Sequence, residues 1–276
     1  MFPHHLPGRF LERPVAVDVI GAGGSGSQIL TGLAQLHHAM LALGHPGGLD
    51  VVAFDDDLVS PSNVGRQMFY PSDIGQNKAH VLIHRINMAM GTNWMAVAEK
   101  LHPSSIMVRR GGSDLVIGCV DTRAARAAIR EAGRRSGATY WLDLGNRQHD
   151  GQVVLGEFPN SFQDKNRKEP RLPTVADLFP ESCDPSLEGE DEGPSCSLAE
   201  ALEKQSLFIN RGVALHALNL LFELFRYGGL GHHGVFVNLK TARTSPLPID
   251  PEAWERFGYG QKPKRSRTKT KAKAQS

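Results

Sequence analysis

Gly21, Gly23, Gly24 and Gly26 fall in one short run, Gly-Ala-Gly-Gly-Ser-Gly, that follows an apolar β-branched stretch and opens a helical pattern. Glycines in that place let the chain turn tightly and let backbone N–H groups approach a phosphate at the start of a helix. Asp55 and Asp57 end a second apolar stretch, at the point where a nucleotide ribose would be held. Asn63, Arg66, Gln67 and Lys78 then crowd into a segment that should otherwise be ordinary loop. Asp121 closes a later apolar run, and the carboxyl end of a parallel strand is where open α/β sheets bind ligands. A glycine turn between strand and helix is the dinucleotide fingerprint, shared by NAD, FAD and ATP sites and by purely structural turns. The glycines alone therefore leave the chemistry open, and the polar residues after Asp57 narrow it.

Positioning these residues requires strands that end at the glycines, at Asp55 and at Asp121. Val15–Ile20 is short, β-branched and bounded by glycine, as suits a buried parallel strand. Ile29, Leu30, Leu33, Leu36, Met40 and Leu43 recur at helical spacing, and residues 48–54 form the second strand. Val81, Leu82, Ile86 and Met90 predict a helix over 76–90, followed by strands at 93–99 and 115–120 and a helix to about residue 135. Strands at 139–145 and 151–156 precede a segment rich in Pro, Asp, Glu, Lys and Ser with one short helix near 174–179. Ser197 and Glu200 have the spacing of a capping box, 207–226 is a strongly apolar helix, and 235–239 is the last strand. Alternating strands and helices predict a doubly wound, Rossmann-like α/β sheet of mostly parallel strands. The expected organisation is one domain over 1–240, with a long crossover loop at 157–197 laid over the active-site face, and an extended basic tail over 241–276.

The ordered set G-x-G-G-x-G, D-x-D, S-N-x-x-R-Q and I-G-x-x-K-A, all within roughly the first half of the chain, resembles the ThiF/MoeB/E1 superfamily of adenylating enzymes. Within it the chain is most similar to the ThiF-related proteins of the PRTRC plasmid-associated cassette. The resemblance implies Mg-ATP as cofactor and adenylation of a carboxylate, usually the C-terminus of a ubiquitin-like or sulfur-carrier protein, with an E2-like protein as a further partner. It implies that Asn63, Arg66, Gln67 and Lys78 meet the phosphates, that Asp55 and Asp57 lie near ribose and metal, and that Asp121 is the catalytic, magnesium-holding carboxylate. Asp121, Thr122 and Arg126 fit the family's D-[N/S/T]-x-x-x-R pattern, although an aspartate there also serves as a helix N-cap. Relatives that pass the adenylate onward use a cysteine of the crossover segment, which here offers Cys183 and Cys196. Cys196 beside the cap at Ser197 is the better thiolate site, since carboxylates flank Cys183. Some relatives are homodimers that reach an N-terminal arginine into the neighbour's site, and Arg9 and Arg13 are available for that or for a solvated surface.

Rival readings are an NAD- or FAD-dependent oxidoreductase, a non-catalytic nucleotide-binding adaptor, and a tRNA-modifying dehydratase of the same superfamily. The long connection over 41–49 moves Asp55 beyond the roughly 20-residue spacing of the NAD fingerprint, which disfavours the first. At 276 residues, 40% hydrophobic and 22% charged, the chain is that of an ordinary globular protein. Its net charge of +2 hides a basic run over 262–273, whose contact with nucleic acid is the weaker alternative to a solvated terminus. No apolar signal segment follows the N-terminus, so a cytoplasmic location is expected, without membrane association. Three cysteines without a C-x-x-C pair argue against a disulfide framework or a four-cysteine zinc site. His37, His38 and His45 are expected at the surface.

Overall fold

The computed structural model describes residues 4–102, 112–160, 169–188, 199, 202 and 205–260. Every residue of β1 (Val15–Ile20) is buried, because β1 lies in the middle of an eight-stranded sheet with helices on both faces. It runs through the glycine turn into α1 (Gly24–Ala42), and the chain returns as β2 (Leu49–Phe54). α2 (Lys78–Met90) is capped by Asn77, whose Oδ1 accepts from His80 N, and stops at Gly91 in the left-handed region. β3 (Met95–Val97) is a short edge strand, and β4 (Leu115–Gly118) lies on the other side of β1. α3 (Arg123–Ser136), β5 (Tyr140–Asn146), β6 (Asp150–Glu157) and the single turn α4 (Val175–Leu178) follow. The last elements are α5 (Ile209–Tyr227), β7 (His232–Asn238), β8 (Arg243–Pro248) and α6 (Pro251–Glu255).

The strand order is β8-β7-β6-β5-β4-β1-β2-β3. Pairing is parallel from β5 to β3 and antiparallel from β5 through β8. From β1 the chain steps first towards β2 and β3, then jumps back to β4 and β5. Right-handed crossovers in opposite directions place α1 and α2 on one face and α3 on the other, and α5 packs beside α1. The reversal between β1 and β4 opens the crevice into which the glycine turn and Asp121 project.

Residues 243–255 correct the expected boundary at 241. Pro246, Pro248 and Pro251 look like the start of an unstructured tail, yet Pro246 and Pro248 sit on an edge strand, where a missing N–H costs no ladder bond. Leu247, Ile249 and Trp254 are buried, so the folded body extends to the end of the described residues, and the basic run lies beyond them. The histidines expected at the surface are largely braces. His45 Nδ1 accepts from Gly48 N at 2.9 Å while its Nε2 lies 2.7 Å from Phe10 O, and half-buried His37 holds Leu49.

Arg9 and Arg13 also serve the fold. Arg13 forks Asp114 through two 2.8 Å bonds, and Arg9 donates to Thr139 Oγ1. Asp114 and Thr139 precede β4 and β5, so both arginines are held at the end of the sheet opposite the crevice. Within the chain neither reaches the site.

Candidate functional site

The four glycines have separate reasons to be glycine. Gly21 has φ +90°, and a Cβ there would lie 2.7 Å from Cys119 O, where β1 and β4 end side by side. A Cβ on Gly26 would come within 1.9 Å of Gly21 O, and one on Gly24 within 2.6 Å of the Asn210 amide. Gly23 differs: a Cβ would meet nothing nearer than the Gln67 side chain at 3.9 Å. Three glycines close the turn and the fourth opens its mouth. Among the described residues no side chain caps α1, so its first N–H groups are available to an anion.

Asp55 braces that turn. One carboxylate oxygen accepts from Ala22 N at 2.6 Å and the other from Asp57 N at 2.9 Å, while burial pushes the carboxyl above its ordinary pKa. Asn77 ties the same corner by donating to Asp55 O and Asp57 O. Lys78 is buried and pairs at 2.7 Å with exposed Asp57. Asn63 spends its Oδ1 on Ser60 N, and its carbonyl accepts from Gln67 N, which fixes the loop that presents Arg66 and Gln67. Arg66 Nη1 donates to Gln205 Oε1 at 2.9 Å, whereas its Nε and the Gln67 Oε1 are buried without a hydrogen-bond partner among the described residues. Burial lowers the Arg66 pKa, and the charge of Asp121 opposes that shift.

The sequence did not single out the polar chain beneath this corner. Asn210, buried at the start of α5, accepts from Ser25 Oγ at 3.0 Å and from Asn146 Nδ2 at 3.2 Å and donates to Gln205. Ser25, Asn210, Gln205 and Arg66 thus join the glycine turn to the cation. An asparagine opening an otherwise apolar helix was the available signal.

Asp121 is exposed beside the crevice, and Thr122 is the N-cap of α3, accepting from Ala125 N at 3.2 Å. The alternative role of Asp121 as the cap is therefore excluded. Arg126 is not in the same position. It is buried and binds Asp143, itself wholly buried, at 3.1 Å and 3.3 Å. Burial raises the Asp143 carboxyl and the guanidinium opposes it. Cys119 is half-buried and Cys183 buried, and desolvation raises the pKa of both thiols, which makes them poor nucleophiles. Cys196 lies outside the described residues.

From Asp121 a cleft of about 680 Å³ runs across the antiparallel half of the sheet. Strand register puts Gly145, Gln152, Phe236 and Ser245 in one row of its floor and Asp150, Asn238 and Arg243 in the next. Its other wall is the start of α3 and the segment from Phe179 to Glu188, with Phe179 packed edge-on against Phe236. Among the described residues no three His, Cys, Asp or Glu side chains converge on a metal-sized site, and no helix is long and apolar enough to cross a membrane.

Fold and site define a Rossmann-like α/β protein with a glycine turn at its switch point. The chain belongs to the ThiF family, whose model matches residues 13–244. It is 30% identical over 135 residues, 48% of this chain, to the adenylyltransferase and sulfurtransferase UBA4 of Yarrowia lipolytica. The match spans 31% of that curated relative's length. Among solved structures, PaaA superposes with a TM-score of 0.57 at 16% identity, over 86% of this chain and 73% of PaaA. MccB of E. coli, solved with succinimide, gives 0.52 at 13% identity, over 85% and 64%. These two likenesses concern the fold.

Proposed function

We propose that this protein adenylates a carboxylate at the end of an extended chain, using ATP. The observation that carries the reading is the gathering at one crevice of an uncapped helix start, the unpartnered Arg66 Nε and Gln67 Oε1, and an Asp121 relieved of capping by Thr122. Family membership and the adenylyltransferase named in the UBA4 match support it. A carboxylate oxygen attacks the α-phosphorus, the bond to the bridging oxygen breaks, and pyrophosphate leaves. No general base is needed, because a carboxylate is ionised near neutral pH.

The glycine turn would hold the nucleotide, Asp55 and Asp57 would lie near its ribose, and Asn63, Arg66, Gln67 and Lys78 would bind and orient the phosphates. Magnesium suits the donor set, since that ion is commonly bound by one or two carboxylates plus phosphate oxygens and water rather than by a protein cage. Asp121 would supply such a carboxylate, and the ion would neutralise charge on the phosphates.

The cleft favours a chain end over a small molecule. From β4 to β8 is four strand spacings, roughly 19 Å, the length of about five or six residues of extended chain. A ubiquitin-like or sulfur-carrier protein has such an end, an E2-like protein is a possible acceptor, and Cys196 is the residue proposed to carry a thioester. Genes neighbouring this one test both the partner assignment and the PRTRC affiliation. The deciding experiment is ATP–pyrophosphate exchange with the carrier supplied. Exchange supports adenylation, whereas bound flavin or nicotinamide in the purified protein points to the oxidoreductase, and nucleotide binding without exchange to the adaptor. Exchange driven by a small carboxylate and tRNA in place of a carrier indicates the dehydratase.

A further inference from the structure

We infer that Glu188 is the catch of a lid formed by residues 179–188 over the cleft, regulating access to the site described above. That function for the cleft rests on the adenylation reading, while the catch itself rests on geometry. The carboxylate of Glu188 accepts from Arg123 N at 2.8 Å and 3.1 Å and from Ala124 N at 3.1 Å. These are the first two amides of α3, two and three residues beyond Asp121, and Thr122 satisfies the next. The first turn of α3 holds no acidic residue of its own. The anion that the remaining free amides of a helix start favour is thus imported across 65 positions of sequence.

The segment has an anchored end and an exposed end. At the anchored end Leu178 and Cys183 are buried and Phe179 packs on Phe236 and Phe257. At the exposed end no residue from Pro185 to Glu188 is buried, Leu187 included. Among the described residues no apolar anchor therefore holds that end, and its polar tie is the Glu188 carboxylate. Arg123 adds a bond from its guanidinium to Glu181 O, so one residue of α3 grips the lid at both levels. A surface contact of this kind is strong enough to bias a closed position and weak enough to release. The group it places beside Asp121 is a carboxylate, so an incoming chain end presents the same chemistry and competes for the same two amides.

The catch is tested without nucleotide or partner, by amide hydrogen exchange on the full chain. In Glu188→Gln, exchange should accelerate about three- to tenfold in two stretches at once, the start of α3 and residues 179–188. Thr122→Ala is the control: it uncaps Ala125 N and should accelerate the start of α3 alone. If Glu188→Gln speeds only α3, Glu188 is a helix cap and the lid is overturned. If it speeds neither stretch, the contact holds nothing and the proposal also fails. Loss of ATP–pyrophosphate exchange activity would sink the adenylation reading while leaving this result standing, and the reverse is equally true.

Discussion

Asp121 and Arg126 lie five positions apart in one motif and take opposite parts. Asp121 is exposed at the crevice and has no capping duty, whereas Arg126 is the buried partner of a buried carboxylate. Asp121→Ala should therefore leave the urea midpoint unchanged while exchange of pyrophosphate into ATP falls about two to three orders of magnitude, as when a group organising transition-state charge is removed. Arg126→Ala should strand Asp143 without its cation and cost about 3–5 kcal/mol in urea denaturation. Equal stability losses in the two variants would refute the division. The motif was legible in the sequence, but the division was not, because burial is a property of the packed sheet. Asn210 and Gln205 escaped notice for the same reason: an amide in an apolar helix signals little until Ser25, Asn146 and Arg66 converge on it in space.

At the scale of elements, strands and helices that follow a hydrophobic period were legible, and β1, α1, β2, α3 and α5 lie where periodicity put them to within a few residues. β8 and α6 were not, because Pro246 and Pro248 masked a strand that tolerates them at an edge and Pro251 stands at the first position of the helix. Their attachment depends on His233. Buried His233 lies with Nδ1 2.8 Å from Leu155 O, and its Nε2 accepts from Trp254 Nε1 at 2.9 Å. These partners fix the neutral tautomer with the proton on Nδ1, and burial lowers its pKa from 6.5 to about 4. The folded state then binds fewer protons than the unfolded state between those values, so stability is complete above pH 6.5 and falls as pH drops towards 4. About 2 kcal/mol should be lost between pH 7.5 and pH 5 from this group. Urea titrations at the two pH values check it: His233→Gln should be less stable at pH 7.5 but show a pH dependence smaller by that amount. An unchanged dependence would remove His233 as the cause.

For the whole molecule, α5 is apolar on more than one face. Ile209, Val213, Ala217, Leu220 and Leu224 are buried against the sheet and α1. Phe208, Leu215 and Phe222, spaced by sevens, line a second stripe that remains exposed, at 58%, 65% and 36%. An unpartnered stripe of this kind marks an interaction surface, and a repeat every two turns lets a helix pair with a copy of itself across a two-fold axis. The breadth of the apolar run was visible in the sequence, but which residues spill past the core emerges only when the buried face is known. The expected state is a homodimer at micromolar concentration, measured by light scattering. Leu215→Arg should convert it to monomer, because the charge would be desolvated at the centre of the stripe, while the buried face and the fold are untouched. Asp121→Ala should remain dimeric, which separates assembly from chemistry. A wild-type protein that is monomeric throughout that range would leave the stripe without a second copy. A dimer indifferent to Leu215→Arg would place the contact elsewhere on the surface.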